Sequence, residues 1–410
     1  MFKYPAVFAR HQEGPLARER ESYLSYKISE GFSFATCQRF ARELLVIARE
    51  FAPKFKFDIG LKEIEETGER WAHSQKRRHR AKKLKWSREL FISVAIDWFR
   101  FLGRFQECEI TKTPFSELTD DFANYMHNER GLSTTTIRNR IWHGTQFLSW
   151  FSTQKRPFSE VSVGDIDAFL ALNSKRWTRV SVVTSVKALR AFFVYAERRH
   201  WCSQGIADAI ESPRVFSQEN LPIGVSWKDV QRLIADTESD QPRDIRDRAI
   251  LMFFAIYGLR SGEVSGLRLD DCNWENETIT IHRSKIRRSH EYPITPIVGT
   301  AIIRYLKNVR PRCNYREIFL TLKAPFCPIS SGGLYNLVSN RLSKLGIVAT
   351  HRGPHVLRHA CASHLLSEGA SLKEIGDLLG HRNLDVTRIY AKVDIAGLRE
   401  VADFDLGGVL

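Results

Sequence analysis

The chain contains the stretch Glu277-Thr-Ile-Thr-Ile-His-Arg-Ser-Lys-Ile-Arg-Arg-Ser-His-Glu-Tyr-Pro-Ile294, in which two runs alternate polar and apolar residues. The runs are Glu277 to Arg283 and Ser289 to Ile294, and a period of two is that of a strand with one buried face. We expect them to pair as an antiparallel hairpin, with Lys285 and Arg287 at or near its turn. The stretch therefore predicts a small antiparallel β-sheet in a chain that is otherwise mainly α.

The sequence on both sides of the hairpin has the apolar spacing of helices. Gly258 can end a helix that begins at Arg243, and Gly380 can end a helix that opens with the capping box Ser371-Leu-Lys-Glu374. We predict an α+β domain over residues 225–410, preceded by a proline-containing linker at 212–224. Further helices are predicted over Trp227–Asp236, Ser261–Leu267 and Pro296–Val309 and from Pro354.

Residues 113–211 read as a small bundle of helices. Ser133 can cap one of them, and Ile141, Phe147, Leu148 and Phe151 would face inward at helical spacing. Such a bundle could bind DNA or could be only a bundle. The basic residues predicted on its polar faces are Arg138, Arg140, His143 and Lys187, and of these we take Arg138, Arg140 and Lys187 as candidate DNA contacts, together with Arg287 of the hairpin.

Residues 1–112 form a helical extension whose role is open between extra DNA contact and oligomerisation. Helical spacing runs from Glu21 to Phe51, interrupted at Gly31, and returns from Trp86 to Phe105. Between them lies a run of basic residues at 76–85, which could be a flexible arm or could contact phosphates.

The composition narrows the class of protein. A length of 410 residues predicts two or three domains, and a net charge of +15 favours a polyanionic partner such as nucleic acid over a merely basic protein. The seven cysteines are dispersed without a Cys-x-x-Cys pair, which is typical of reduced thiols. No run of about 18 apolar residues exists, so we expect no membrane span. We expect a cytoplasmic protein that acts at the bacterial nucleoid.

Six residues in the C-terminal half supply the groups needed to cleave a phosphodiester without a metal. Guanidinium groups grip and neutralise phosphate oxygens, which is the role we assign to Arg260 and Arg358. Tyr390 could attack the phosphorus, but its ordinary pKa near 10 means that it needs help to lose its proton. His355, three residues before Arg358 on one helix face, could take that proton, His381 could donate to a non-bridging oxygen, and Lys285 could protonate the leaving oxygen.

Taken singly, each of these residues has an ordinary explanation. Arg260 could form a surface ion pair with Glu263, Arg358 could do the same on a helix face, and Tyr390 could be an amphipathic helix residue. A zinc site at His355, His359 and Cys361 is a further alternative, but the chain lacks a His-Glu-x-x-His motif. The joint arrangement is what favours a catalytic site.

This arrangement resembles the tyrosine recombinase (phage integrase) family. The matching stretches are Tyr257-Gly-Leu-Arg260-Ser-Gly-Glu263-Val, the hairpin Lys285, His355-Val-Leu-Arg358-His-Ala, Leu378-Leu-Gly-His381 and Thr387-Arg-Ile-Tyr390. The resemblance covers about residues 213–402, and the bundle looks like the core-binding (SAM-like) domain of the family with weaker motifs. The turn Arg283-Ser-Lys-Ile-Arg287 lacks the usual glycine, so Arg287 and Arg288 stay open as alternatives to Lys285.

The resemblance implies a site-specific recombinase or integrase with an α+β integrase-type catalytic domain, helical domains before it, and no cofactor or metal. Tyr390 would form a 3′-phosphotyrosyl link, and two domains would clamp double-stranded DNA. Four protomers on two DNA sites would exchange strands, aided by the amphipathic tail Ala391 to Ala402, and accessory or sister recombinases could take part. The biological event is open among phage integration, transposition, integron-like capture and dimer resolution, and the long N-terminal region favours integration or transposition of a mobile element.

Two other classes of protein compete with this interpretation. A non-catalytic DNA-binding regulator would explain the helix-turn-helix-like run from Ser371 to Tyr390, but it has no use for the six residues together. A type IB topoisomerase shares much of the chemistry but relaxes DNA without paired sites. The basic bundle and the short tail after Tyr390 favour the recombinase.

Overall fold

A computed structural model describes most of the chain. The described residues are 4–54, 58–74, 84–107, 114–214, 224–283, 288–380 and Thr387. Four of the predicted site residues, Lys285, Arg287, His381 and Tyr390, lie outside them.

The described residues are mainly helical. The helices are, in chain order, α1 Pro5–Gln12, α2 Ala17–Ser29, α3 Phe34–Phe51, α4 Leu61–Ser74, α5 Leu84–Phe101, α6 Ser116–Asn128, α7 Thr134–Ser152, α8 Val163–Ser174, α9 Arg179–Arg198, α10 Ile206–Ala209, α11 Trp227–Ala235, α12 Pro242–Ile256, α13 Ser261–Ser265, α14 Pro296–Asn308, α15 Ser331–Lys344, α16 His355–Ser367 and α17 Leu372–Leu379. The strands are β1 Ile59–Gly60, β2 Phe105–Gln106, β3 Cys272–Asn273, β4 Thr278–Arg283 and β5 Arg288–Pro293. The predicted mainly α fold with a small antiparallel sheet is confirmed.

The chain forms two compact units. One comprises Met1–Asp58, Ile64–Arg104 and Asn220–Leu410, and the other comprises Ile59–Glu63 and Phe105–Glu219. In the first unit the ring of Phe326 packs against Gly31, where a Cβ would lie 2.5 Å from the ring. No described helix is both long enough and apolar enough to cross a membrane.

The second unit contains the helical bundle α6 to α10, whose core is rich in aromatic rings. Phe147, Leu148 and Phe151 of α7 are buried as predicted, and Ile141 is partly buried against the same core, which also contains Phe192 and Phe193 of α9. Ser133 caps α7 by accepting a hydrogen bond from the Thr136 amide at 3.3 Å, which confirms the predicted start of that helix.

One residue of α7 departs from prediction. His143 was expected on the polar side of the helix, but it is buried and its ring lies edge-on to Trp142 at 4.7 Å and to Trp177 at 6.0 Å. Burial lowers the pKa of this histidine because the charged form loses its hydration. The residue is therefore part of the aromatic packing and not a DNA contact.

The predicted hairpin is confirmed, with β4 and β5 antiparallel and Thr278 opposite Pro293 at its open end. Ile279 and Ile281 point into the core, which also contains most of α12. The strand β3, which pairs with β4, was not predicted, because two residues are too few to show a period.

Caps and turns fix where the site helices begin and end. Gly258 follows α12 with a φ of +58°, and Gly380 ends α17 with a φ of +63°, so both predicted glycine caps are confirmed. The capping box at the start of α17 is also confirmed, since Ser371 Oγ accepts from the Glu374 amide at 3.2 Å. Pro354 was predicted as the first residue of α16, but it is the N-cap, and the helix begins one residue later at His355.

The N-terminal helices differ from prediction at one end. The helix expected to run to Phe105 ends at Phe101, and β2 pairs in parallel with β1. Gly103 explains the break, because its φ of +65° is a left-handed conformation that a helix cannot continue through.

Candidate active site

Arg260 lies just after the Gly258 turn and is the N-cap of α13. A Cβ at position 258 would lie 2.4 Å from Leu379 Cδ2, so both the φ and the packing require glycine there. Glu263 forms two hydrogen bonds with Arg260. Its carboxylate accepts from the Arg260 amide at 2.8 Å and from Arg260 Nη1 at 2.9 Å. The expected ion pair therefore exists, but the Arg260 side chain is still 33% exposed. Its Nε and Nη2 make no hydrogen bond to the residues that the structure describes, and they remain available to a phosphate.

Arg358 is not the surface residue that the simple alternative predicted. It is 1% exposed on α16. Its Nη1 donates to the Gly258 carbonyl at 2.5 Å, and its Nη2 donates to the Leu379 carbonyl at 2.8 Å. One guanidinium thus joins the turn before Arg260 to the end of α17.

His355 lies one turn before Arg358 on α16 and remains accessible to solvent. Its pKa is lowered by desolvation of the ring, and then by the positive charges of Arg358 and Arg260 and by His351. Arg358 also binds the Gly258 carbonyl, two residues before Arg260, so the turn that contains Arg260 lies next to the helix that contains His355 and Arg358. At neutral pH the His355 imidazole is neutral, so one ring nitrogen can accept a proton.

His359 extends this group, although it was predicted only as part of a metal alternative. Its ring lies edge-on to His355 at 4.4 Å. Burial, His355 and Arg358 lower the pKa of His359 to about 4. Cys361 is buried, with its Sγ 3.7 Å from the Ile256 carbonyl, and burial raises the pKa of the thiol to about 12. A thiol that does not ionise is a poor zinc ligand, and the described residues contain no cluster suited to a metal.

Arg283 was missed as a site residue. It is the last residue of β4, it is buried, and its Nη2 donates to the Leu378 carbonyl at 2.7 Å and to the Tyr292 hydroxyl. Its Nε lies 3.9 Å from Glu263 Oε1. The alternation of β4 could have found it, because a period of two puts Arg283 on the same face as the buried Ile279 and Ile281.

The predicted DNA contacts of the bundle lie on its helices as expected, with different exposures. Arg138 on α7 and Lys187 on α9 are exposed. Arg140 is half-buried, and its Nη1 lies 4.0 Å from Met126 Sδ. Lys285, His381 and Tyr390, with Arg287, lie outside the described residues.

The arrangement suits the binding of an anion. Arg260 and Arg358 carry fixed positive charge, the pKa values of the two nearby histidines are lowered by desolvation and by neighbouring positive charge, and Glu263 is the carboxylate that pairs with Arg260. A bound phosphate diester would be stabilised by the guanidinium groups, and His355 could exchange a proton with a hydroxyl that attacks or leaves the phosphorus.

Comparison with known sequences agrees with this geometry. A sequence profile described as "Phage integrase family" matches residues 225–396, and one described as "Phage integrase, N-terminal SAM-like domain" matches residues 119–200. A putative integrase/recombinase, y4rA of Sinorhizobium fredii, is 35% identical over 303 residues, which is 72% of this chain and 73% of the relative. The tyrosine recombinase XerD of Lacticaseibacillus casei is 31% identical over 277 residues, covering 67% of this chain and 92% of XerD.

Solved structures share the fold. The XerH site-specific recombinase bound to its difH substrate aligns with a TM-score of 0.56 at 17% identity, over 83% of this chain and 94% of XerH. The Tn1549 transposon integrase in complex with circular intermediate DNA aligns with a TM-score of 0.53 at 17% identity, over 70% of this chain and 99% of that protein.

Proposed function

This chain belongs to the phage integrase family and is a site-specific tyrosine recombinase, and we propose that Tyr390 is the nucleophile with which it breaks DNA. The Tyr390 oxygen attacks the scissile phosphorus, the bond from phosphorus to the 5′ oxygen breaks, and a 3′-phosphotyrosyl link forms. The 5′ hydroxyl of a partner strand then attacks that link and releases the tyrosine. The energy of the phosphodiester is kept in the link, so the cycle needs no ATP.

The observation that carries the proposal is the convergence of Arg260, His355 and Arg358. Arg260 binds a non-bridging oxygen through its available N–H groups, and removal of such a contact typically costs about 10²–10³ in rate. His355, neutral in the chain without DNA, accepts the phenolic proton. Arg358 is 1% exposed, so it reaches the phosphate only after the residues that cover it have moved. Lys285 or its neighbour Arg287 supplies the acid for the leaving oxygen, and His381 donates to the phosphate.

The two profile matches support a separate function for each domain. Residues 113–211 are the core-binding domain, with Arg138, Arg140 and Lys187 on phosphates, and 225–410 are the catalytic domain, joined by 212–224. Residues 1–112 add a DNA contact or an oligomerisation region. Arg10, Arg42 and Arg49 favour DNA, because all three are exposed and none of them pairs with a described carboxylate.

We assign the reaction to integration or transposition of a mobile element in the cytoplasm, by a tetramer on two DNA sites. The name of the Sinorhizobium relative and the transposon integrase among the structural neighbours support this setting. Accessory or sister recombinases would be further partners, and the segment Ala391 to Ala402 would dock on a neighbouring protomer.

A two-site assay tests the proposed function against a topoisomerase. A supercoiled plasmid carries two directly repeated copies of a site recovered from genomic DNA by binding selection. We expect excision of the intervening DNA, which depends on both copies. Relaxation of a one-site plasmid at the same rate, without excision from the two-site plasmid, would contradict the proposal in favour of a type IB topoisomerase.

A further inference from the structure

We propose that Arg283 is a positioning residue for DNA cleavage, holding the end of α17 and the start of the segment that leads to His381 and Tyr390. The inference rests on the proposed function, because it assigns a task within that reaction. Arg283 belongs to β4, and Gly380, which immediately precedes His381, ends α17. The residue would therefore connect the strand before Lys285 to the segment that contains the nucleophile.

Two arginines bind consecutive carbonyls at the end of α17. Arg283 donates to the Leu378 carbonyl at 2.7 Å, and Arg358 donates to the Leu379 carbonyl at 2.8 Å. The last carbonyls of a helix have no partner within the helix, and they carry the negative end of its dipole, so buried cations bind them well. One of these arginines comes from β4 and the other from α16, and together they fix the position of the helix end relative to both elements.

Burial of the Arg283 guanidinium costs more free energy than a residue that only fills the core would need to cost. Its side chain is 1% exposed, and the carboxylate of Glu263 lies 3.9 Å from its Nε. Among the described residues, its Nε and Nη1 find no hydrogen-bond partner. An apolar residue would continue the buried row of Ile279 and Ile281 at lower cost. The free-energy cost of burying this guanidinium indicates that Arg283 positions the end of α17 and does not mainly stabilise the fold.

Glu263 connects Arg283 to the phosphate-binding group. Its Oε1 lies 2.9 Å from Arg260 Nη1 and 3.9 Å from Arg283 Nε, so a single, largely buried carboxylate stands between the two guanidinium groups. Without Arg283, the Glu263 carboxylate would have Arg260 as its remaining guanidinium neighbour among these two. Arg283 therefore affects the orientation of Arg260. It also affects the position of Gly380, after which the segment with His381 and Tyr390 begins.

Gly380 is packed against the Arg283 guanidinium. A Cβ at position 380 would lie 0.9 Å from Arg283 Nη1, so the space beside this turn is already occupied. Tyr292 completes the contact, because its hydroxyl accepts from Arg283 and donates to the Leu378 carbonyl. The helix end, the turn and the strand are thus held by one buried group of polar atoms.

The test measures cleavage apart from binding and folding. Wild type, Arg283→Met and Arg283→Lys are mixed in excess with a nicked suicide substrate, and the rate constant of covalent adduct formation, the Kd for DNA and the Tm are measured. The matched control is Arg310→Met, which removes an arginine that also bonds to backbone carbonyls, those of Glu317 and Ile318, away from the site.

We expect Arg283→Met to lower the rate constant by about 100-fold, because a misplacement of about 1 Å has that effect, with Kd within about twofold of wild type and Tm unchanged or raised. Arg283→Lys keeps one donor and should recover part of the rate. Arg310→Met should lower Tm while leaving the rate constant of the folded protein near that of wild type.

The outcomes separate the two claims. A wild-type rate in Arg283→Met, or a loss of rate matched by an equal loss of DNA binding and of Tm, overturns the positioning role. If Arg283→Met does not fold, Tyr292→Phe decides, with an expected loss of about tenfold and a wild-type rate as the contradicting result. Absence of any adduct in wild type would instead overturn the proposed function.

Discussion

Arg260, His355, Arg358 and His359 form one cluster, and its burial and positive charge control the protonation of the two histidines. Their pKa values are lowered first by desolvation and then by their charged neighbours. A phosphate diester in this cluster would oppose the guanidinium charges and raise both pKa values again. DNA binding would thus make His355 a stronger base, which favours transfer of the phenolic proton from Tyr390 to His355.

The lowered pKa of His359 predicts how stability depends on pH. The folded-state pKa of about 4 lies below the ordinary value of 6.5, so the unfolded chain binds the proton more tightly. Stability is then complete above pH 6.5 and falls as the pH drops toward 4. We expect His359→Gln to reduce the loss of unfolding free energy between pH 7 and pH 4.5 by about 2 kcal/mol in urea titrations.

The exposed His127 provides the control for this experiment. His127→Gln should keep the pH dependence of wild type. An unchanged pH dependence in His359→Gln would contradict the assignment of a low pKa to that residue.

At the level of single residues, the sequence predicts which side chains form the site, but it does not predict all the residues that those side chains contact. The sequence could predict that His355 and Arg358 lie close together, because residues three apart on a helix share one face. The partner of Arg283 could not, since the Leu378 carbonyl lies 95 residues away and any buried carbonyl would satisfy the donor. His143 was misjudged because a histidine is polar by type, whereas its aromatic neighbour Trp177 comes from outside its own helix.

At the level of helices and strands, residues with local physical effects were the most predictable. Ser133, Gly258, Ser371 and Gly380 act within a few residues, and each begins or ends a helix as expected. The helices α1, α4, α10 and α15 and the two-residue strands β1 to β3 were not predicted individually. The short strands exist because longer elements hold their backbones side by side, which is information that no local pattern contains.

The bundle helices α7 and α9 predict the effect of single basic residues on DNA binding. Arg138→Ala and Lys187→Ala each remove an exposed charge, and we expect weaker binding to all sequences. The slope of log Kd against log salt concentration should fall by about 0.9 for each lost phosphate contact. Fluorescence anisotropy at several salt concentrations measures both quantities.

Arg199 is the matched control, because it is exposed in the same bundle but pairs with Asp121 at 3.3 Å. Arg199→Ala should leave the salt slope unchanged. If all three variants bind like wild type, the bundle does not contact DNA through these helices.

At the level of the whole molecule, net charge, length and the motifs of the C-terminal half lead to the same class of protein. A charge of +15 alone would have fitted many nucleic-acid-binding proteins, and the fold alone would not have given the chemistry. The grouping of N-terminal helices with the C-terminal half into one compact unit could not be predicted, because it depends on contacts such as Phe326 with Gly31.

The most direct test of the whole account is covalent capture of DNA by Tyr390. The full chain is incubated with a nicked suicide substrate, and protein–DNA adducts are separated in denaturing gels, with Tyr315→Phe as a control for loss of an exposed tyrosine hydroxyl elsewhere. We predict an adduct in wild type and in Tyr315→Phe, and none in Tyr390→Phe, which should still bind DNA. An adduct that survives Tyr390→Phe would contradict the account.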